Sequence, residues 1–121
     1  MALFRLSAPA RVDLASILAS SVERWGIEGK RRYAAILSAA MRKVAADPMG
    51  RLTRDRADLL PGVRSFHIRY ARSDERESKV KRPVHVLYYR SIHPGLTEII
   101  RVLHERMEPS RHTGVVSENK E

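Results

Sequence analysis

Cysteine is absent from the 121 residues, which excludes a disulfide scaffold and a thiolate metal site and gives no sign of an oxidising compartment. Long apolar runs are missing too. No window approaches the roughly 20 apolar residues that a membrane-spanning helix requires. Near the N-terminus, Arg5, Arg11 and Asp13 interrupt the stretch from Met1 to Ser20 before the apolar core of a secretory signal develops. The five histidines, His67, His85, His93, His104 and His112, include no i, i+4 pair and no HExxH, so no zinc motif is expected. The expected class is a cytoplasmic protein with no metal or other cofactor.

Acidic residues are the other shortage. Fourteen Asp and Glu face 23 Lys and Arg, a formal charge of +9, and the pI is near 10.6. The first sixty residues hold eleven basic and six acidic groups and the remainder twelve and eight. The excess therefore belongs to a folded basic surface rather than to a charged arm. Such a surface attracts nucleic acid, acidic proteins or anionic membrane. The length suits one domain with a single two-layer core.

Local patterns give an order of elements. Leu3 to Leu6 reads as a short strand, and Ser7 before Ala8-Pro9 is a helix start. Leu14, Ile17, Leu18, Val22 and Trp25 then recur as one helical stripe, which Gly26 ends. Tyr33, Ile36, Leu37, Ala40, Met41 and Val44 form a second stripe, stopped by Asp47-Pro48-Met49-Gly50. The short link at Gly26-Ile27 predicts an antiparallel helical hairpin with both stripes on one layer. Three strands should supply that layer: 63–71, with Phe66, Ile68 and Tyr70 on one face, 84–90, and 97–104, the last two joined through His93-Pro94-Gly95. The predicted fold is α+β, a two-layer β-α-α-β-β-β arrangement with the hairpin on a small antiparallel sheet. It occupies residues 1–112, with a charged hairpin loop at 72–82 and a flexible polar tail at 113–121.

The last strand carries the most unusual chemistry, because Arg101, His104 and Arg106 interrupt an apolar segment. Strict alternation sets Ile100, Val102 and His104 on one face and Ile99, Arg101 and Leu103 on the other. A buried arginine must be paired or solvated, so the end of this strand is a candidate partner surface. Arginine at a sheet edge is also an ordinary structural device.

Several phrases in this order resemble the ParE branch of the RelE/ParE superfamily of toxins. They are Arg5-Leu6-Ser7-Ala8-Pro9-Ala10-Arg11-Val12-Asp13-Leu14, Glu23-Arg24-Trp25-Gly26, Tyr33, Leu60-Pro61-Gly62-Val63-Arg64-Ser65-Phe66, Leu87-Tyr88-Tyr89-Arg90, and the run from Ile100 to His112. The resemblance covers residues 3 to about 112. It implies a toxin of a type II toxin–antitoxin system that poisons DNA gyrase and forms a hetero-oligomer with a ParD-like antitoxin. No membrane or small-molecule substrate is implied. On that expectation Arg101, His104, Arg106, Met107 and Arg111 meet the target. Trp25, Tyr33, Leu37 and Met41 on the helices, with Tyr70, Tyr88 and Arg90 on the sheet, meet the antitoxin.

Two alternatives stand beside it. A RelE-type ribosome-dependent mRNA endoribonuclease would use His104 for proton transfer with Arg101, Arg64 and Arg90 around the phosphate. Against this, no lysine lies between Lys43 and Lys79, and Glu105-Arg106 follows His104 where a tyrosine would be expected. The other alternative is a non-toxic interaction protein that has kept antitoxin binding.

Overall fold

The computed structural model describes residues 2–72, 80 and 82–112. Strand β1 (Leu3–Leu6) leads into a long helical segment, α1 (Ala8–Ala46), followed by β2 (Arg54–Asp55), β3 (Arg64–His67), a 3-10 turn (Ile68–Ala71), β4 (His85–His93) and β5 (Leu96–His104). The five strands form one sheet in the order β1-β5-β4-β3-β2. The architecture is α+β, as the patterns predicted, but the sheet is mixed: β1 runs parallel to β5 and every other pair is antiparallel. Periodicity shows which residues are strand; it does not show that a helical return will lay β1 beside the last strand. No helix among the described residues is long and apolar enough to cross a membrane. The proposed tail at 113–121 and most of the loop at 72–82 lie outside the described residues.

Ser7 joins the two layers. Its Oγ accepts from Ala10 N–H at 3.1 Å, capping α1, and donates to the Ile100 carbonyl of β5 at 2.7 Å. Nineteen residues after Ser7 the helix breaks at Gly26, whose φ of 74° and ψ of −173° are not helical. The chain turns sharply there. In a straight helix residues eight apart sit about 12 Å apart along the axis, yet the rings of Trp25 and Tyr33 stack at 6.5 Å. Gly29 comes so close that a Cβ on it would lie 2.2 Å from the Trp25 Cβ. Gly26 is at a backbone conformation that side-chain-bearing residues hardly adopt. Gly26→Ala is expected to cost about 1–3 kcal/mol, visible as a lower denaturant midpoint.

The two arms of α1 bury different amounts. In the second arm Tyr33, Ile36, Leu37, Ala40, Met41 and Val44 are buried and form the core with Phe66, Ile68, Leu87, Tyr89, Ile99 and Val102. In the first arm Leu14, Ile17 and Leu18 are only partly buried against this cluster, and Trp25, expected on the inward stripe, is 58% exposed.

Two strands depart from simple alternation. In β5 the partner of Tyr88 is Arg101 and the partner of Tyr89 is Ile99, so Ile100 is the extra residue of a bulge. Ile99 and Ile100 are both buried, and Ile99 shares the core cluster with Val102. The expected faces of this strand therefore do not hold across the bulge. The expected strand at 63–71 ends at His67, where the side chain accepts from Arg69 N–H and starts the 3-10 turn. That turn keeps Ile68 in the core and sends Tyr70, 38% exposed, to the surface.

Candidate functional site

Beyond Ile99 strand β1 no longer covers β5, and a side chain takes its place. Asp13, on the first turns of α1, accepts from Val102 N–H at 2.9 Å and from Arg101 Nε and Nη2 at 2.7 and 2.8 Å. The third guanidinium nitrogen, Nη1, donates to the carbonyl of His112 at 2.8 Å. Arg101 thus ties the helix start, the free edge of β5 and the chain after β5 together. Its hydrogen bonds to the Asp13 carboxylate raise its pKa further, so the guanidinium keeps its charge.

Three residues further on, where β5 ends, is a histidine cluster. Tyr33 Oη accepts from Val84 N–H at 3.0 Å and lies 2.7 Å from His85 Nδ1, the acceptor within reach of its own proton. His85 packs edge to face against Tyr33 at 5.5 Å and against His104 at 5.7 Å. Burial first, and then the positive charge that His104 and His67 can carry, lower the His85 pKa from 6.5 to about 4. The folded chain thus keeps His85 neutral between pH 4 and 6.5 while the unfolded chain takes up the proton. Stability from this group is complete above 6.5 and falls as pH drops towards 4. For a ring still partly in solvent the loss is on the order of 2 kcal/mol. His85→Asn keeps an acceptor for Tyr33 and should flatten this part of the curve. Urea unfolding at pH 7 and 4.5, with both proteins, checks it.

The face of the sheet away from α1 holds a shallow groove of about 480 Å³ whose lining includes Arg54, Arg56, Arg69 and Arg106, the acids Glu105 and Glu108, and Ser65, His67, Tyr70, Tyr88 and Met107. Its components are partly braced. The Arg56 guanidinium grips Asp58 and lies 5.9 Å from the centre of the Tyr88 ring. That of Arg69 stands 4.9 Å from the Tyr70 ring centre and donates to its hydroxyl. His67 uses both ring nitrogens: Nδ1 accepts from Arg69 N–H, and Nε2 lies 2.7 Å from the Glu105 carboxylate. That hydrogen bond holds the Glu105 carboxyl below the usual carboxylate range.

The residues nominated from sequence are scattered by the fold. Arg64 donates to Thr53 Oγ1 at 3.2 and 2.9 Å, and Arg90 pairs with Glu98, which Arg5 also approaches. Arg101 is held by Asp13, and His104 Nδ1 accepts from Arg106 N–H at 3.1 Å, fixing the turn after β5. Each of the four nuclease candidates has its own structural partner. Arg106, Met107 and Arg111 lie on the exposed segment after β5. Of the residues nominated for the antitoxin, Tyr33, Leu37 and Met41 are buried core, because the second arm of α1 is the one that packs on the sheet. Trp25 and Tyr70 are exposed, Tyr88 lines the open-face groove, and Arg90 is part-buried beside Glu98.

Sequence reasoning missed Asp13, His85 and Glu105. Two of these carried a signal. Asp13 sits one residue before Leu14 and four before Ile17, an acid at the border of an apolar stripe, where it needs a cation. His85 shares the strand parity of the apolar Leu87 and Tyr89, which the structure buries against α1.

Comparison with known proteins agrees with this fold. The model of the family described as the ParE toxin of type II toxin–antitoxin system, parDE, matches residues 4–109. A protein named Toxin ParE1 from Caulobacter vibrioides is 34% identical over 113 residues, covering 92% of this chain and 97% of that protein. Another Toxin ParE1, from Mycobacterium tuberculosis (strain H37Rv), is 29% identical over 109 residues, covering 90% and 95%. A solved structure titled as the chromosomal ParDE TA system from P. aeruginosa superimposes with a TM-score of 0.60 at 17% identity, over 86% of this chain and 96% of that one, a likeness of fold. With the family model matched along nearly the whole chain and relatives covered almost end to end, the protein belongs to the ParE toxin family of type II toxin–antitoxin systems.

Proposed function

We propose that this toxin acts by contact, poisoning DNA gyrase, and is neutralised by direct binding of a cognate ParD-like antitoxin. The observation that carries this reading is the dispersal of Arg64, Arg90, Arg101 and His104 onto four separate structural partners. Proton transfer to and from a ribose and phosphate would need such groups gathered about 3 Å from one substrate. A contact toxin instead needs exposed, mixed surface, and the segment after β5 offers it with Arg106, Met107 and Arg111. For the antitoxin, an acidic chain crossing the open sheet face would meet Arg54, Arg69, Tyr70 and Tyr88. Its helix would cover the first arm of α1, where Val12 and Trp25 are left exposed.

The test separates the two surfaces. The variant carrying Arg106→Glu, Met107→Ala and Arg111→Glu changes only exposed side chains and should abolish growth arrest, while Arg111→Glu alone, at a position that lines neither the open-face groove nor the one beside the α1 hairpin, should weaken arrest and leave antitoxin capture at the parent level. Retained toxicity would move the target contact elsewhere on the molecule.

A further inference from the structure

Between the α1 hairpin and the ends of β4 and β5 runs a second groove, of about 520 Å³, on the opposite side of the sheet from the open face. Arg24 and Arg82 line it, and among the described residues no carboxylate does. His85 and His104 also line it, 5.7 Å apart. Both rings use Nδ1 as an acceptor, from the Tyr33 hydroxyl and from Arg106 N–H. In the neutral rings the proton is therefore on Nε2, and neither Nε2–H has an acceptor among the described residues. The two acids whose charge reaches His85 are hydrogen-bonded outside the groove, Glu105 to His67 and Asp13 to Arg101. Two imidazole donors and two guanidinium cations thus share one groove with no hydrogen-bond acceptor for them among the described residues. Exposed Trp25 and Met107 give it apolar walls.

We propose that this groove receives the side-chain carboxylate of an acidic peptide segment from a bound partner, with a neighbouring apolar side chain against Trp25 and Met107. The donor set fits a singly charged planar anion, taken by two N–H groups and screened by the arginines. Phosphate shares part of this chemistry. The apolar walls favour the peptide. The inference rests on the antitoxin reading in that the antitoxin is the partner expected to bring the segment.

The test uses the full chain with nitrogen-15-labelled histidine and follows the ring resonances of His85 and His104. Probes are N-acetyl-Glu-Leu-amide, its Gln-Leu counterpart, inorganic phosphate and a ten-residue oligothymidylate. Binding of the Glu probe should be saturable and shift both rings, with the Gln probe weaker by about tenfold or more, the worth of a charge-assisted hydrogen bond. In the double variant His85→Asn, His104→Asn both Nδ1-position acceptors are kept and both Nε2–H donors are lost, with the arginines in place. There Glu-probe binding, read from the Trp25 fluorescence, should fall by a similar factor, with the thermal transition recorded alongside to confirm folding. Equal response to the two dipeptides, or undiminished binding by the folded double variant, overturns the proposal. Tighter binding of phosphate or oligothymidylate than of the Glu probe overturns it in favour of a nucleic-acid contact. Failure of gyrase poisoning or of antitoxin capture leaves these titrations unchanged, so the two readings fail separately.

Discussion

Replacing Asp13 by alanine is expected to lower the free energy of unfolding by about 3–5 kcal/mol, the cost of stranding a part-buried charge whose partner has been removed. The guanidinium of Arg101 and the carboxylate of Asp13 are both largely sheltered from solvent, and their contact is bidentate. Loss of the carboxylate also leaves Val102 N–H without its acceptor on the uncovered edge of β5. Against the 5–15 kcal/mol that holds a domain of this size together, the variant should unfold at a markedly lower denaturant concentration. Adding Arg101→Met to Asp13→Ala should restore part of the loss, because the unpaired charge is then gone. A double variant no more stable than Asp13→Ala would show that Arg101 costs nothing when left alone, contrary to this account.

Leu37→Ala is expected to cost about 3–4 kcal/mol, in the range of buried leucine truncations. Leu37 is 1% exposed and packs in the cluster shared by the second arm of α1 and the sheet. Trp25→Ala, by contrast, removes an exposed ring and should leave stability within about 1 kcal/mol of the parent. The two residues lie on similar helical stripes in the sequence, so the comparison separates core from surface. Denaturant midpoints for both variants, set beside antitoxin capture, make the measurement. Leu37→Ala should reduce capture only in proportion to unfolding, whereas Trp25→Ala should weaken it while remaining folded.

The two outcomes also mark how far the fold was legible. The second stripe, Tyr33 to Val44, is strict and every nominated member is buried, since a 3.6-residue period with no polar interruption has one way to pack. The break at Gly26 was equally plain. The first stripe was read as core on the same period, but a small sheet has room to bury only one helical arm fully, and area is a tertiary quantity. The pairing of β1 with β5, the bulge at Ile100 and the 3-10 turn after His67 depend on contacts distant in sequence. Of the site, the importance of Arg101 was visible from an ionised group in an apolar strand. Its partner was not, because Asp13 lies 88 residues away. Resemblance to the ParE toxins named the class of molecule, while the distribution of partners around Arg64, Arg90, Arg101 and His104 could come only from the structure.

On the proposed reading the protein acts by contact and leaves phosphodiester chemistry to gyrase. Purified protein incubated with gyrase, ATP and relaxed plasmid, then treated with detergent and protease, tests it most directly. Linear plasmid should accumulate with toxin concentration and be absent with the Arg106→Glu, Met107→Ala, Arg111→Glu variant. Unimpaired supercoiling with no linear product, alongside cleavage of messenger RNA on ribosomes by the same preparation, would contradict it.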